Sequence, residues 1–203
     1  MLKRVKDRVR TAIEAFPPPV KTFAVRAIVL FLIWKGLYLF LWQEPRTLDD
    51  PLTKAVGRQS TSLLKAMRPA DSFSVKDGYH ASTMEGVTVQ KPQTVIYRGK
   101  RKLVGIEDGC NGLELFVLYI GFILAMPASI GRKLAFGMGG LIVIHMVNLL
   151  RCSGLGIVVI SMKQHFDFAH HYLFKIVIYA TIFLLWVAFS KKLKLTKDVS
   201  DPV

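Results

Sequence analysis

Three kinds of side chain that support nucleophilic chemistry stand far apart in the second half of the chain. They are the thiol of Cys110, the guanidinium of Arg151 and the adjacent imidazoles of His170 and His171. A thiol attacks as the thiolate, which a nearby cation stabilises. A histidine can take the thiol proton, and an arginine can stabilise an oxyanion or hold a carboxylate through two hydrogen bonds. Together these residue types indicate acyl transfer by a cysteine, provided that the fold brings them together.

Each of these residues also has a simpler interpretation, which the sequence leaves open. Arg151 could extend from a helix end to the lipid head groups, and a histidine pair at the start of a helix is often only interfacial. Cys110 could be a packed thiol. It could also form a disulfide with Cys152, the second of the two cysteines, in an oxidising compartment.

The elements that must position these residues are apolar. The chain has 203 residues, of which 52% are hydrophobic, and its mean hydropathy is positive. Four apolar runs approach the roughly 20 residues needed to cross a bilayer, and such runs must be helical in lipid. The first run is too long for a signal peptide and no small-residue cleavage site follows it, so we interpret it as a retained anchor. The runs are 24–42, 113–130, 134–150 and 172–189.

The net charge of +14 is explained largely by membrane topology, so we expect no nucleic-acid partner. Basic residues are concentrated in the two terminal tails and in the short turn at Arg132 and Lys133, whereas the connection 152–171 carries only Lys163. The positive-inside rule then places both termini and this turn in the cytoplasm, and the segment 44–109 outside. The basic N-terminal segment would contact anionic lipid head groups.

The segment 44–109 is predicted to form a small α+β cap outside the membrane. A helix with Asp50 as its cap and Pro51 at its first position should end before Arg68. The stretches VTVQ and TVIYRGKRKLVGI favour strands, the second of them a hairpin that turns around Gly99. The predicted fold is thus an α-helical integral membrane protein with about four transmembrane helices and this cap.

The predicted organisation comprises five segments. They are a basic cytoplasmic segment 1–20, transmembrane helix 22–43, the extracytoplasmic cap 44–109, a three-helix transmembrane core 110–190 and a basic cytoplasmic tail 191–203.

This topology brings Cys110, Arg151 and the histidine pair to the same outer interface. Cys110 stands just before the second run enters the membrane, Arg151 follows the outward third run, and the histidines begin the fourth. Asn148 lies three residues before Arg151, on nearly the same helical face. Glu114 is an intramembrane carboxylate close to Cys110 and could pair with Arg151.

Three short motifs resemble the exosortase/archaeosortase family of membrane cysteine transpeptidases: CNGLE at 110–114, HMVNLLR at 145–151 and HHYLF at 170–174. The likeness covers roughly residues 105–190. It implies the following site residues: Cys110 as nucleophile followed by Gly112 of a C-x-G setting, Asn148 and Arg151 of an Asn-x-x-Arg motif, and His170 as base, with His171 as the alternative.

The resemblance also implies a substrate and a location. The substrates would be exported proteins with a C-terminal sorting signal that contains a short motif, a transmembrane helix and basic residues. Cleavage would pass through a thioacyl enzyme at the bacterial inner membrane, with the site facing the periplasm. We expect no metal or cofactor, since HFDFAHH matches no specific ligand spacing. The alternative is a non-enzymatic structural or assembly subunit with a Cys110–Cys152 disulfide.

Overall fold

The structure is a computed structural model that describes residues 17–42, 46–84 and 87–191. The predicted basic N-terminal segment up to residue 16 and the basic tail from residue 192 lie outside these ranges. The helices are α1 (Pro18–Leu37), α2 (Asp49–Met67), α3 (Leu113–Ala125), α4 (Ile130–Ser161), α5 (Phe166–Phe168) and α6 (Phe174–Ser190). The strands are β1 (Phe73–Met84), β2 (Val87–Arg98) and β3 (Arg101–Glu107). Short π-helical turns occupy Tyr38–Trp42 and Ala169–Leu173, and 3-10 turns occupy Asp108–Cys110 and Lys163–His165.

Three helical stretches in the described part are long and apolar enough to cross a membrane, at Val20–Leu41, Ile130–Ser161 and Lys163–Ser190. The second predicted run forms only the 13-residue α3, which at 1.5 Å per residue is about 20 Å long. Proline at position 127 explains the early end, because the residue before a proline is driven out of the helical region. Met126 accordingly has ψ 141°. The predicted count of four spans is therefore not confirmed.

The position of Arg151 at a helix end was predicted incorrectly. α4 continues for 32 residues to Ser161, so Arg151 lies inside the helix and is only 8% exposed. Residues 152–161, which were predicted as part of a connection, contain no proline, and α2 of the cap packs against them. Ser153 Oγ donates a hydrogen bond to the carbonyl oxygen of Ser60 at 3.2 Å in this contact.

The cap is an antiparallel sheet in the order β1-β2-β3 with α2 packed against it. The predicted hairpin is confirmed, since β2 and β3 are joined through Gly99, whose φ of 57° lies in the region that favours glycine. The predicted end of the cap helix before Arg68 is also confirmed, although the helix begins at Asp49 and not after Asp50. β1 was not predicted, because its polar sequence lacks a regular apolar alternation.

Two buried clusters hold the described residues together. The cap cluster joins α2, the sheet and the C-terminal part of α4, through Val56, Leu64, Ile96, Ile106, Leu149, Cys152 and Leu155. The helix cluster joins α3, α4 and α6, through Tyr119, Ile123, Ile144, Ile182 and Phe189. Because α4 contributes to both clusters, the cap is packed directly on a membrane helix.

Candidate active site

Cys110 lies on a short loop between the end of β3 and the start of α3. The loop ends at Gly112, which has a φ of 93° and precedes the first residue of α3. A Cβ at Gly112 would lie 3.3 Å from Nδ2 of Asn148. That fully buried amide donates a hydrogen bond to the carbonyl oxygen of Cys110 at 3.0 Å. Glycine two residues after the cysteine therefore allows both the turn and the close approach of α4.

The guanidinium of Arg151 points at the cysteine sulfur. Its Nη2 lies 3.5 Å from Sγ of Cys110, and its Nη1 donates to Oδ1 of Asn148 at 3.4 Å. Its Nε is buried and has no partner. Arg151 forms no ion pair with any residue that the structure describes, so a largely buried cation stands beside the thiol with unused hydrogen-bonding capacity.

The two histidines have different environments, although both lie in the π-helical turn Ala169–Leu173. His170 is half-buried and borders a cavity of about 320 Å³ that Cys110 and Arg151 also border. Its ring stacks on Phe166 with a centroid separation of 5.7 Å. His171 is exposed, and its Nδ1 donates to the carbonyl oxygen of Asp167 at 3.0 Å. Turns of this kind occur frequently at functional sites. Of the two histidines, the structure thus places His170 and not His171 at the cavity that Cys110 borders.

Two other residues singled out in the sequence do not adopt the predicted interactions. Both cysteines are free thiols, and the Cys110–Cys152 bridge is not formed in this structure. Cys152 is 2% exposed and borders the cavity beside Cys110. Glu114 is exposed on the first turn of α3 and forms no ion pair with Arg151. It borders a separate groove of about 730 Å³ along α1 and α3.

A group of polar residues before Cys110 was missed from the sequence. Asp108 accepts hydrogen bonds from Arg46 at 2.9 Å (Nε) and 2.6 Å (Nη2) and from Thr53 Oγ1 at 2.8 Å. The hydrogen bond with Asp108 raises the pKa of Arg46 above its ordinary value. A fork-shaped pair of charge-assisted bonds fixes orientation as well as distance. The loop is therefore tied to the cap on the N-terminal side of Cys110.

Asn111 makes the equivalent connection on the other side. It is fully buried, and its Nδ2 donates to Oδ1 of Asp49 at 2.9 Å. Its Oδ1 accepts a hydrogen bond from the backbone N–H of Leu113 at 2.8 Å, inside the first turn of α3. Asp49 also accepts a hydrogen bond from the hydroxyl of Tyr38 at 2.7 Å. The only sequence signal for these contacts is Asp108, the acidic residue two positions before the cysteine. The contacts join residues up to 62 positions apart.

The comparisons with known proteins agree with the motifs. A sequence model described as transmembrane exosortase matches residues 19–188. Searches of curated proteins and of solved structures each gave no significant match. The matched range includes the first membrane helix, the cap and every residue that borders the 320 Å³ cavity. Since it covers most of the 203 residues, the chain belongs to the transmembrane exosortase family.

Proposed function

We propose that the protein is a membrane-embedded cysteine protease and transpeptidase that cleaves the C-terminal sorting signals of exported proteins. The observation that carries the proposal is the 3.5 Å approach of Arg151 Nη2 to Cys110 Sγ, at a cavity that His170 also borders. A buried guanidinium without a carboxylate partner is costly for a purely structural role. Beside a thiol it favours the thiolate, the reactive form of a cysteine. Membership of the exosortase family supports the same reaction class.

Three side chains each perform one role in the reaction. His170 takes the Sγ proton of Cys110, and the thiolate attacks the carbonyl carbon of the scissile peptide bond. A terminal nitrogen of Arg151 donates to the oxyanion that forms on the carbonyl oxygen. Protonated His170 then gives its proton to the leaving amine as the C–N bond breaks. The N-terminal part of the substrate remains as a thioester on Cys110.

The thioester is resolved by a second nucleophile. An amine of an acceptor molecule attacks its carbonyl carbon and passes a proton to His170. The C–S bond then breaks, and His170 returns that proton to Sγ, which restores the thiol of Cys110. Water in place of the amine would give hydrolysis. Asn148 acts as a positioning residue, because it binds the Cys110 carbonyl and Arg151 at once.

The proposed location is the bacterial inner membrane with the site facing the periplasm. The charge bias of the short turn at Arg132 and Lys133 and of the two tails supports this orientation. The substrate's own membrane helix would lie in the bilayer beside the protein, which places the scissile bond near the outer interface.

The test is to trap the thioester in membranes that contain the full-length protein and a labelled substrate with a C-terminal membrane helix. The wild-type protein should form an adduct that hydroxylamine releases, and Cys110→Ala should form none and leave the substrate intact. Cys152→Ala serves as the matched control and should retain cleavage. If the two cysteine variants instead cleave equally well, or fail equally, Cys110 is not the nucleophile and the structural alternative is favoured.

A further inference from the structure

β3 presents an open edge to the cavity at Cys110. Within the described residues it pairs only with β2. Six consecutive residues, 102–107, border the cavity. Successive side chains of a strand point to opposite faces. A cavity that borders six in a row, together with His80 of β1 and Gln93 of β2, therefore extends from one face of the sheet around the edge of β3. The backbone N–H and C=O groups that β3 does not use for β2 are therefore available beside the site.

A glutamine next to this edge has an amide that makes no hydrogen bond with the described residues. Gln93 on β2 is only 5% exposed, and its side chain lies against Gly105 of β3, where a larger residue would clash with it. It borders the same cavity as Cys110. Its amide makes no hydrogen bond with any described residue, so its donor and its acceptor are both available to a ligand in the cavity. An amide both donates and accepts, which matches the main chain of a peptide.

The edge of β3, Gln93 and the guanidinium of Arg151 thus border one cavity. We propose that the extended substrate segment preceding the scissile bond binds here as an added strand along β3, with its main chain hydrogen-bonded to Gln93. This mode of peptide binding takes affinity from main-chain bonds at a sheet edge. The inference rests on the proposed function and specifies how that same site recognises its substrate.

The geometry also sets the length and direction of the segment. Residues 102–107 extend for about 17 Å at 3.3 Å per residue, which corresponds to a substrate segment of about five or six residues. β3 runs towards Cys110. The substrate residues after the scissile bond lead into the membrane, so the segment before that bond runs in the same direction as β3. The added strand is therefore parallel.

The first test measures KM and kcat for a membrane substrate with the full-length Gln93→Met protein. Loss of a neutral hydrogen bond should raise KM about 3- to 10-fold and leave kcat unchanged. Alkylation of Cys110 by iodoacetamide, which needs no peptide, should keep its wild-type rate. The control is Gln90→Met, an exposed position on the same strand, which should change nothing. An unchanged KM, or parallel losses in kcat and alkylation, would overturn the role of Gln93.

The second test locates the substrate directly. A photoreactive residue replaces Lys102 on β3 or, as the control, Lys76 on the far edge strand β1, both exposed. The full-length protein carries Cys110→Ala so that the substrate stays uncleaved. Cross-links should form at position 102 with residues just before the scissile bond and should be absent at position 76. Equal labelling at both edges, or none at 102, would exclude strand addition.

The two proposals fail in different ways. If cleavage requires Cys110 but neither the Gln93 nor the cross-linking result appears, only the strand addition is wrong. If cleavage proceeds without Cys110, the proposed function itself is wrong, whatever the cross-links show.

Discussion

Replacing Arg151 by methionine should stabilise the protein and abolish its reaction. Arg151 is 8% exposed, its Nε has no partner, and its 3.4 Å contact with Asn148 is at the long limit of hydrogen bonding. An unsatisfied buried polar group costs about 1–3 kcal/mol, and methionine fills a similar space without one. The free energy of unfolding should therefore rise by about that amount, or about 2–4 °C in Tm for each kcal/mol.

The same substitution removes the charge that the reaction uses. A thiolate and a guanidinium 3.5 Å apart attract by about 5 kcal/mol at an effective dielectric constant of 20. Loss of one oxyanion donor typically lowers kcat by about 10²- to 10³-fold. We expect kcat to fall by at least about 100-fold.

The assay pairs thermal unfolding by circular dichroism in detergent with single-turnover cleavage in the same detergent. Arg58→Met, at an exposed position of α2, is the control and should leave Tm and kcat unchanged. A lower Tm for the Arg151 variant would show that the guanidinium is a structural group. Full activity with a higher Tm would show that its charge is not used. Either result would refute the reasoning.

Three further outcomes are expected. His170→Gln should lower kcat about 100-fold or more, and His171→Gln should leave kcat near the wild-type value. If cleavage assays show the large loss for His171→Gln and not for His170→Gln, the base is His171. Gly112→Ala should lower Tm, because a φ of 93° strains a residue with a side chain by about 1–2 kcal/mol; an unchanged Tm would mean that the loop relaxes. Hydrogen bonds from Arg98 and Arg68 lower the pKa of Asp71 below its ordinary value of 3.8. Their stabilising effect is therefore complete above that pH and declines below it as the carboxylate is protonated. The Tm difference between wild type and Asp71→Asn should narrow as the pH falls below 3.8, and a constant difference would contradict this.

The meeting of Cys110, Arg151 and His170 was predictable, although part of the reasoning was wrong. Hydropathy and charge bias placed all three at one interface, and one cavity borders all three in the structure. The prediction assumed that α4 ends at Arg151, because the apolar run is interrupted there by a charge. In the structure the helix continues, and the cap packs against the turns that follow Arg151. Hydropathy alone cannot distinguish a lipid-facing helix from one covered by another part of the chain.

The contacts that hold the cysteine loop could not be predicted. Arg46 and Asp108 are 62 positions apart, as are Asp49 and Asn111. Such pairs leave no periodic signal, because each is fixed by how α2 docks and not by the local sequence. Gln93 is similar, since a glutamine within a strand usually indicates the solvent face. Only the packed sheet shows that its amide is buried.

The length of α4 has a consequence for how the protein responds to its bilayer. At 1.5 Å per residue, 32 residues extend for about 48 Å, whereas the hydrocarbon layer is about 30 Å thick. Arg151 lies about 32 Å from the start of the helix by the same measure. Because Arg151 contacts Cys110, the length of α4 from its start to Arg151 sets the distance between the thiol and the membrane face at which α4 begins. A bilayer a few ångströms thicker would place the cavity within the hydrocarbon layer, and a thinner bilayer would place it in water. Cleavage should therefore depend on lipid chain length.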